Sequence, residues 1–311
     1  MLNSPKISIW PLLKRFRSMA GGNSTRSTLC PRLHSGLHAY QTIKQAKIMN
    51  YFHRSGLCLL MIVCAWSTQV EAGVQIKTIP YNHGEVVLEG VVAWDDEIKG
   101  KRPGILVIHE WWGLNEYART RAEQLAALGY VAVAVDMYGK GKVTTHADEA
   151  RQWMQQTTVN VKMWQARANE GLRLLQTNPL VDQTRLAAIG YCFGGATVMQ
   201  MVYDGAPVKG VVSFHGSLPL PLASSAIKNS VKILIAHGEA DPFLSQDHIA
   251  KFKHALDEAG LDWHMVIFGG AQHGFTNPSA NQYGMNGVQY QKQADRRSWE
   301  HMKLFFNELF R

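Results

Sequence analysis

Cys192 lies in the run Leu186-Ala-Ala-Ile-Gly-Tyr-Cys192-Phe-Gly-Gly, with Gly190 two residues before it and Gly194 two residues after. An apolar segment ends at Ile189, and an apolar, helix-compatible segment follows the glycines. G-x-C-x-G between a strand and a helix is a turn that holds a nucleophile at its tip. The tip residue takes a strained backbone conformation, and side chains two positions to either side would collide, so those positions need glycine. The turn pushes the tip side chain out at the carboxyl edge of the sheet, where open α/β sheets bind ligands. The helix N-terminus behind it favours thiolate over thiol. Without that chemistry, the same stretch reads as a small buried cysteine in a glycine-rich turn.

A thiol nucleophile needs a base, and the base needs a group to orient it. Two later loops offer them. His237-Gly-Glu-Ala-Asp241-Pro-Phe follows an apolar run ending at Ala236, and Gly269-Gly-Ala-Gln-His273-Gly-Phe follows one ending at Phe268. His273 can take the thiol proton, and Asp241 can fix its tautomer and ring orientation. Glu239 rivals Asp241 as the acid, whereas Asp136 precedes the cysteine and breaks the order nucleophile, acid, histidine. Taken singly, Asp241 also reads as an Asx-turn before Pro242 and His273 as a solvated loop histidine; the order and the loops argue for them jointly.

A fourth stretch, Ile108-His109-Glu110-Trp111-Trp112-Gly113-Leu114-Asn115, leaves a central strand where one oxyanion donor is expected. The backbone N–H groups of Trp111 and Phe193 are the candidates for that hole. Glu110 is a candidate to hold the thiol proton at rest and release it when substrate arrives; its plainer reading is a solvated loop acid or a helix-start charge. Trp112, Phe193, Phe214, Phe243 and Phe275 are candidates for an apolar pocket as well as for core, and His215 for substrate contact as well as for a structural turn.

The elements that must position these residues alternate from Val74 onward. Residues 74–80 and 86–93 read as a strand hairpin. Further strands are expected over 104–109, 130–135, 185–189, 208–214, 231–236 and 263–268, as short apolar runs. Asn115 and Ser245 can cap helices that run to Gly129 and Gly260. Residues 145–177 read as mostly helical, with Val161, Trp164, Ala168, Leu172 and Leu175 on one face, and 289–310 as a terminal helix with Trp299, Met302, Phe305 and Leu309 on one side. Such alternation implies an α/β fold, a mostly parallel central sheet with helices on both faces, formed as one domain over 73–311.

The net charge of +8 does not mark a nucleic-acid binder, because it is concentrated at one end. Nine of the 32 lysines and arginines but one of the 24 acids fall in residues 1–72, which leaves 23 of each over 73–311. Cys192 is the only cysteine after residue 64, so this domain forms no internal disulfide. Residues 49–72 read as a signal peptide: a basic start through Arg54, ten apolar residues from Leu57 to Trp66, and short residues before a cleavage near Ala72. Ten apolar residues fall short of the roughly 20 that span a bilayer, so no stable membrane span is expected. Residues 1–48 read as a basic extension, either transit-like or upstream of a start at Met49, and are expected to lie outside the mature protein. The expected location is exported, periplasmic or secreted. The thirteen histidines show no H-E-x-x-H and no paired spacing with cysteine, so neither metal nor cofactor is expected.

The set H-E-W-W-G, G-Y-C-F-G-G, G-E-A-D-P and Q-H-G-F resembles the dienelactone hydrolase family over nearly all of 73–311. The resemblance implies an α/β-hydrolase fold, a Cys192–Asp241–His273 triad and a glutamate, Glu110 by position, that activates the cysteine. It implies a carboxylic ester hydrolase, carboxymethylenebutenolidase-like, whose partner is a small-molecule ester or lactone cleaved through a thioester. Arginines bind the substrate carboxylate in the founding enzymes; here the stretch after Asp136 reads Met-Tyr138-Gly-Lys140-Gly-Lys142, with lysines and no arginine. An acyltransferase or thiol peptidase on the same scaffold, and a catalytically silent binding protein, are the alternatives.

Overall fold

The computed structural model describes residues 73–221 and 230–311. The expected signal peptide over 49–72 and the basic extension over 1–48 lie outside the described residues. Strands β1 (Val74–His83) and β2 (Val86–Asp95) pair antiparallel as a hairpin. The sheet is completed by β3 (Arg102–Ile108), β4 (Val131–Val135), β5 (Val181–Tyr191), β6 (Gly210–Phe214), β7 (Lys232–Gly238) and β8 (Asp262–Phe268). Their order is β1-β2-β4-β3-β5-β6-β7-β8, antiparallel where β2 meets β4 and parallel from β4 to β8. The all-buried runs VAVAV of β4 and GVVSF of β6 are what a strand covered on both faces requires. At the edge, β8 gives up that pattern and mixes exposed with half-buried residues.

The helices are α1 (Glu116–Ala127), α2 (Ala147–Thr158), α3 (Val161–Gln176), α4 (Phe193–Tyr203), α5 (Gln246–Glu258) and α6 (Lys292–Leu309). On one face of the sheet Trp164 and Ala168 of α3, Val198 and Met199 of α4 and Phe252 of α5 share a core. On the other, Ala118, Ala122 and Leu125 of α1 pack with Met302, Phe305 and Phe306 of α6. The cap side chains act as expected: Asn115 Oδ1 accepts from the Ala118 amide at 3.4 Å, and Ser245 Oγ from that of His248 at 3.1 Å. The expected helical stretch 145–177 is divided, because Asn160 Oδ1 accepts from the Met163 amide at 3.1 Å and starts α3 afresh while Val159 stays exposed. Val161 is half-buried, and the inner face of α3 takes in Gln165, Arg167 and Gly171 instead, since α3 packs on α4 as well as on the sheet. No helix among the described residues is long and apolar enough to cross a membrane.

Candidate active site

The turn from β5 into α4 carries Cys192 with φ +54° and ψ −111°, a region an L-residue enters at a cost of about 1–3 kcal/mol. Its amide donates to Phe214 O of the neighbouring strand β6 at 3.0 Å, which fixes the tip against the sheet. The flanking glycines answer to contact. A Cβ on Gly190 would stand 2.0 Å from Gly194 O, and one on Gly194 would stand 2.2 Å from Ile108 O at the end of β3. Cys192 is buried, yet it lines a pocket.

The loops after β7 and β8 are zipped together. Ala240 N donates to Ala271 O at 2.9 Å and Glu239 N to Phe268 O at 3.0 Å, and a Cβ on Gly238 would lie 2.4 Å from Ala271 O. The histidine loop is held on its other side by His273 N to Gly287 O at 3.0 Å and Gln289 N to His273 O at 2.9 Å. So clamped, the His273 imidazole donates through Nδ1 to Asp241 Oδ2 at 2.8 Å, while Asp241 Oδ1 accepts from the Phe243 amide at 2.9 Å. Burial alone would raise the Asp241 carboxyl, but the His273 charge and hydrogen bond and the Phe243 amide outweigh it and hold it below the usual range. Burial would lower His273; the Asp241 charge and the neighbouring Cys192 outweigh it and hold the imidazole well above the usual value. Nε2 is buried without a hydrogen bond of ordinary geometry among the described residues, and Cys192 is the neighbour on that side, raising the imidazole by its charge and its hydrogen bonding. Catalytic hydrogen bonds are commonly this loose before substrate binds. Glu239, the rival acid, is exposed and accepts weakly from Gly270 N at 3.4 Å.

Glu110 follows β3 and is almost fully buried. Its Oε2 accepts from Asn277 Nδ2 at 2.6 Å. Burial pushes its pKa up to about 7, opposed by the Asn277 hydrogen bond and by the charges of His273 and Arg121. The loop itself is tied down by His109, whose Nδ1 donates to Glu110 O and whose Nε2 accepts from Met137 N at 3.1 Å. Burial lowers that imidazole, which suits a neutral strap. Neither Trp111 N nor Phe193 N has a hydrogen-bond partner among the described residues, and both residues line the same pocket. For Phe193, the first residue of α4, that follows from helix geometry.

One pocket gathers Glu110, Trp111, Cys192, Phe193 and His273. Asp241 stands behind His273. Of the aromatic candidates, Trp112, Phe193 and Phe243 line the pocket. Phe214 is instead in the core, stacked on Tyr191 at 4.8 Å between ring centroids, and Phe275 packs on Phe268 at 5.4 Å. His215 is buried beneath the site: its Nε2 bonds Thr276 Oγ1 at 2.7 Å, and its ring stands 5.2 Å from that of His273. Sequence reasoning did not single out Asn277, or the walls made by Met154 and Thr158 of α2, Trp164 of α3, and Ser217, Met285 and Val288 of the loops. Only Trp164 left a sequence signal, and its helical spacing reads as core.

The family model for the dienelactone hydrolase family matches residues 88–310. An Aquifex aeolicus protein provisionally named a carboxymethylenebutenolidase is 27% identical over 212 residues, covering 65% of this chain and 87% of its own. A solved structure named m3DLH is 35% identical with a TM-score of 0.74, covering 77% of this chain and 100% of that one. A dienelactone hydrolase-like promiscuous phosphotriesterase from metagenomic libraries is 34% identical with a TM-score of 0.73, over the same shares.

Proposed function

Because this chain belongs to the dienelactone hydrolase family and is a hydrolase, we propose that it cleaves carboxylic esters or lactones with Cys192 as nucleophile. Sγ attacks the carbonyl carbon with the thiol proton carried on His273 Nε2, and Nδ1–H is kept on Asp241. The oxyanion is held by the N–H groups of Trp111 and Phe193, donors of a kind whose loss typically costs about 2.7–4 kcal/mol. His273 then protonates the departing alkoxide, leaving a thioester on Cys192. Water, deprotonated by His273, attacks the thioester and restores the thiol. Glu110, with its pKa near neutrality, exchanges a proton with the thiol side of the site before substrate arrives.

The observation that carries this reading is the Asp241–His273 pair at 2.8 Å, buried in the wall of the pocket that Cys192 lines. Turnover of phenyl acetate by the full chain tests it. Cys192→Ala and His273→Gln, each with its melting temperature unchanged, are expected to retain less than about one part in a thousand of the wild-type rate. Wild-type turnover in Cys192→Ala would contradict the mechanism.

The likeness to a promiscuous phosphotriesterase at 34% identity favours a second activity at the same site, hydrolysis of neutral aryl phosphotriesters. A dialkyl aryl phosphate that is cleaved by wild type but not by Cys192→Ala supports it; no cleavage contradicts it. Export by the segment 49–72 belongs to the same proposal, supported by its basic, apolar and short-residue order. N-terminal sequencing of mature protein is expected to begin at Gly73; retention of residues 49–72 would contradict export.

A further inference from the structure

We propose, resting on that reading of Cys192 and His273, that the pocket selects uncharged aromatic esters and lactones and turns away those carrying a carboxylate. Its lining is mostly apolar, and Trp111, Trp112, Trp164, Phe193, Phe243 and Met285 contribute to the pocket that Cys192 lines. The rings are locked rather than loose. Trp164 stacks on Phe193 at 5.8 Å and 13°, and Trp112 on Tyr283 at 4.1 Å and 18°. Flat faces fixed in this way accept a planar apolar group at little entropic cost.

Among the described residues no lysine or arginine lines the pocket, and each cation in its surroundings is engaged elsewhere. Arg121 donates to Thr276 O at 2.7 Å and pairs with Asp295. Arg167 donates to Met137 O at 2.9 Å. Lys140 pairs with Glu89 at 3.1 Å, and Lys142 lies over the Trp153 ring at 5.9 Å. His273 has Asp241 as its own counter-ion. The carboxyl of Glu110 is already in the wall, so a substrate carboxylate there would be stripped of water, unpaired and faced by a second carboxyl rather than a cation. Thr158 and Ser217 are the neutral polar residues left to meet it.

The test compares methyl 4-acetoxybenzoate with 4-acetoxybenzoate, two aryl acetates that differ in a neutral against an anionic group. Each kcat/KM is divided by that ester's own hydroxide rate constant to remove the difference in leaving group. The neutral ester is expected to be favoured by at least about 100-fold. Met285→Lys, which adds a cation at the pocket wall, is expected to narrow that ratio at least about tenfold with its melting temperature unchanged. A normalised ratio near one in wild type would overturn the selectivity and leave the hydrolase reading intact. Failure to cleave either ester, phenyl acetate or dihydrocoumarin would overturn the hydrolase reading and the selectivity with it.

Discussion

Replacing Glu110 by Gln is expected to stabilise the protein at alkaline pH relative to wild type and to lose that advantage in acid. The buried Glu110 carboxyl has a pKa of about 7 in the folded chain against 4.5 for the free side chain. The folded state therefore holds this proton more tightly than the unfolded state. Glu110 stabilises the fold fully below pH 4.5, and that contribution is lost as pH rises through about 7. The whole gap is worth roughly 3 kcal/mol, and the part that falls between pH 5 and pH 8 is about 2.5 kcal/mol. The amide in Glu110→Gln carries no such proton, and its oxygen can still accept from Asn277 Nδ2, so the packing of the loop is kept. Asp241 and His273 titrate in both proteins and cancel in the comparison, apart from the attraction between Glu110 and His273. Urea unfolding followed by circular dichroism at pH 5 and pH 8 measures it. With a slope of about 3 kcal/mol per molar urea, the wild-type midpoint should fall by roughly 0.8 M relative to the variant between the two pH values. A difference between the proteins that stays constant with pH within about 0.5 kcal/mol would refute a protonatable buried carboxyl here, and with it the proton exchange assigned to Glu110.

Asp241→Asn is expected to lower kcat by about 10²- to 10⁴-fold in steady-state assays. An amide must place its NH₂ against either the Phe243 N–H or His273 Nδ1, which leaves a buried donor unmatched or imposes the wrong tautomer. Gly238→Ala should destabilise the fold by about 1–3 kcal/mol, read as a lower urea midpoint, because its Cβ would press on Ala271 O. It should also cost activity, as the same overlap parts the loops of Asp241 and His273. Asn277→Ala should make Glu110 harder to ionise, since the Asn277 hydrogen bond lowers its pKa. A stability difference between Asn277→Ala and Asn277→Ala/Glu110→Gln that changes more from pH 5 to pH 8 than that between wild type and Glu110→Gln checks this.

The residues legible in the sequence are those whose environment is set by their near neighbours. Gly190 and Gly194 announce the turn at Cys192 because the clash they avoid arises within five residues of chain and its neighbouring strand. Asp241 and His273 could be read from loops that leave consecutive apolar runs, since parallel strands deliver their loops to one edge. Asn277 could not: it meets Glu110 across 167 residues, and an asparagine four places after His273 has no periodicity to betray it. Phe214 ends β6, and Phe275, like Phe243, lies in a loop after a strand, yet the neighbours Tyr191 and Phe268 draw Phe214 and Phe275 into the core. The break at Val159 and Asn160 was concealed by apolar spacing that continues in phase from α2 into α3, while the decisive feature was a single side-chain cap.

The covalent step is tested most directly by acid-quenching the full chain within its first turnovers of phenyl acetate and locating the acetyl group by peptide mass spectrometry. The mechanism predicts one acetyl on the peptide containing Cys192, released by hydroxylamine, accumulating in Asp241→Asn and absent from Cys192→Ala. Steady turnover with no adduct at Cys192, or an equal adduct in Cys192→Ala, would contradict it.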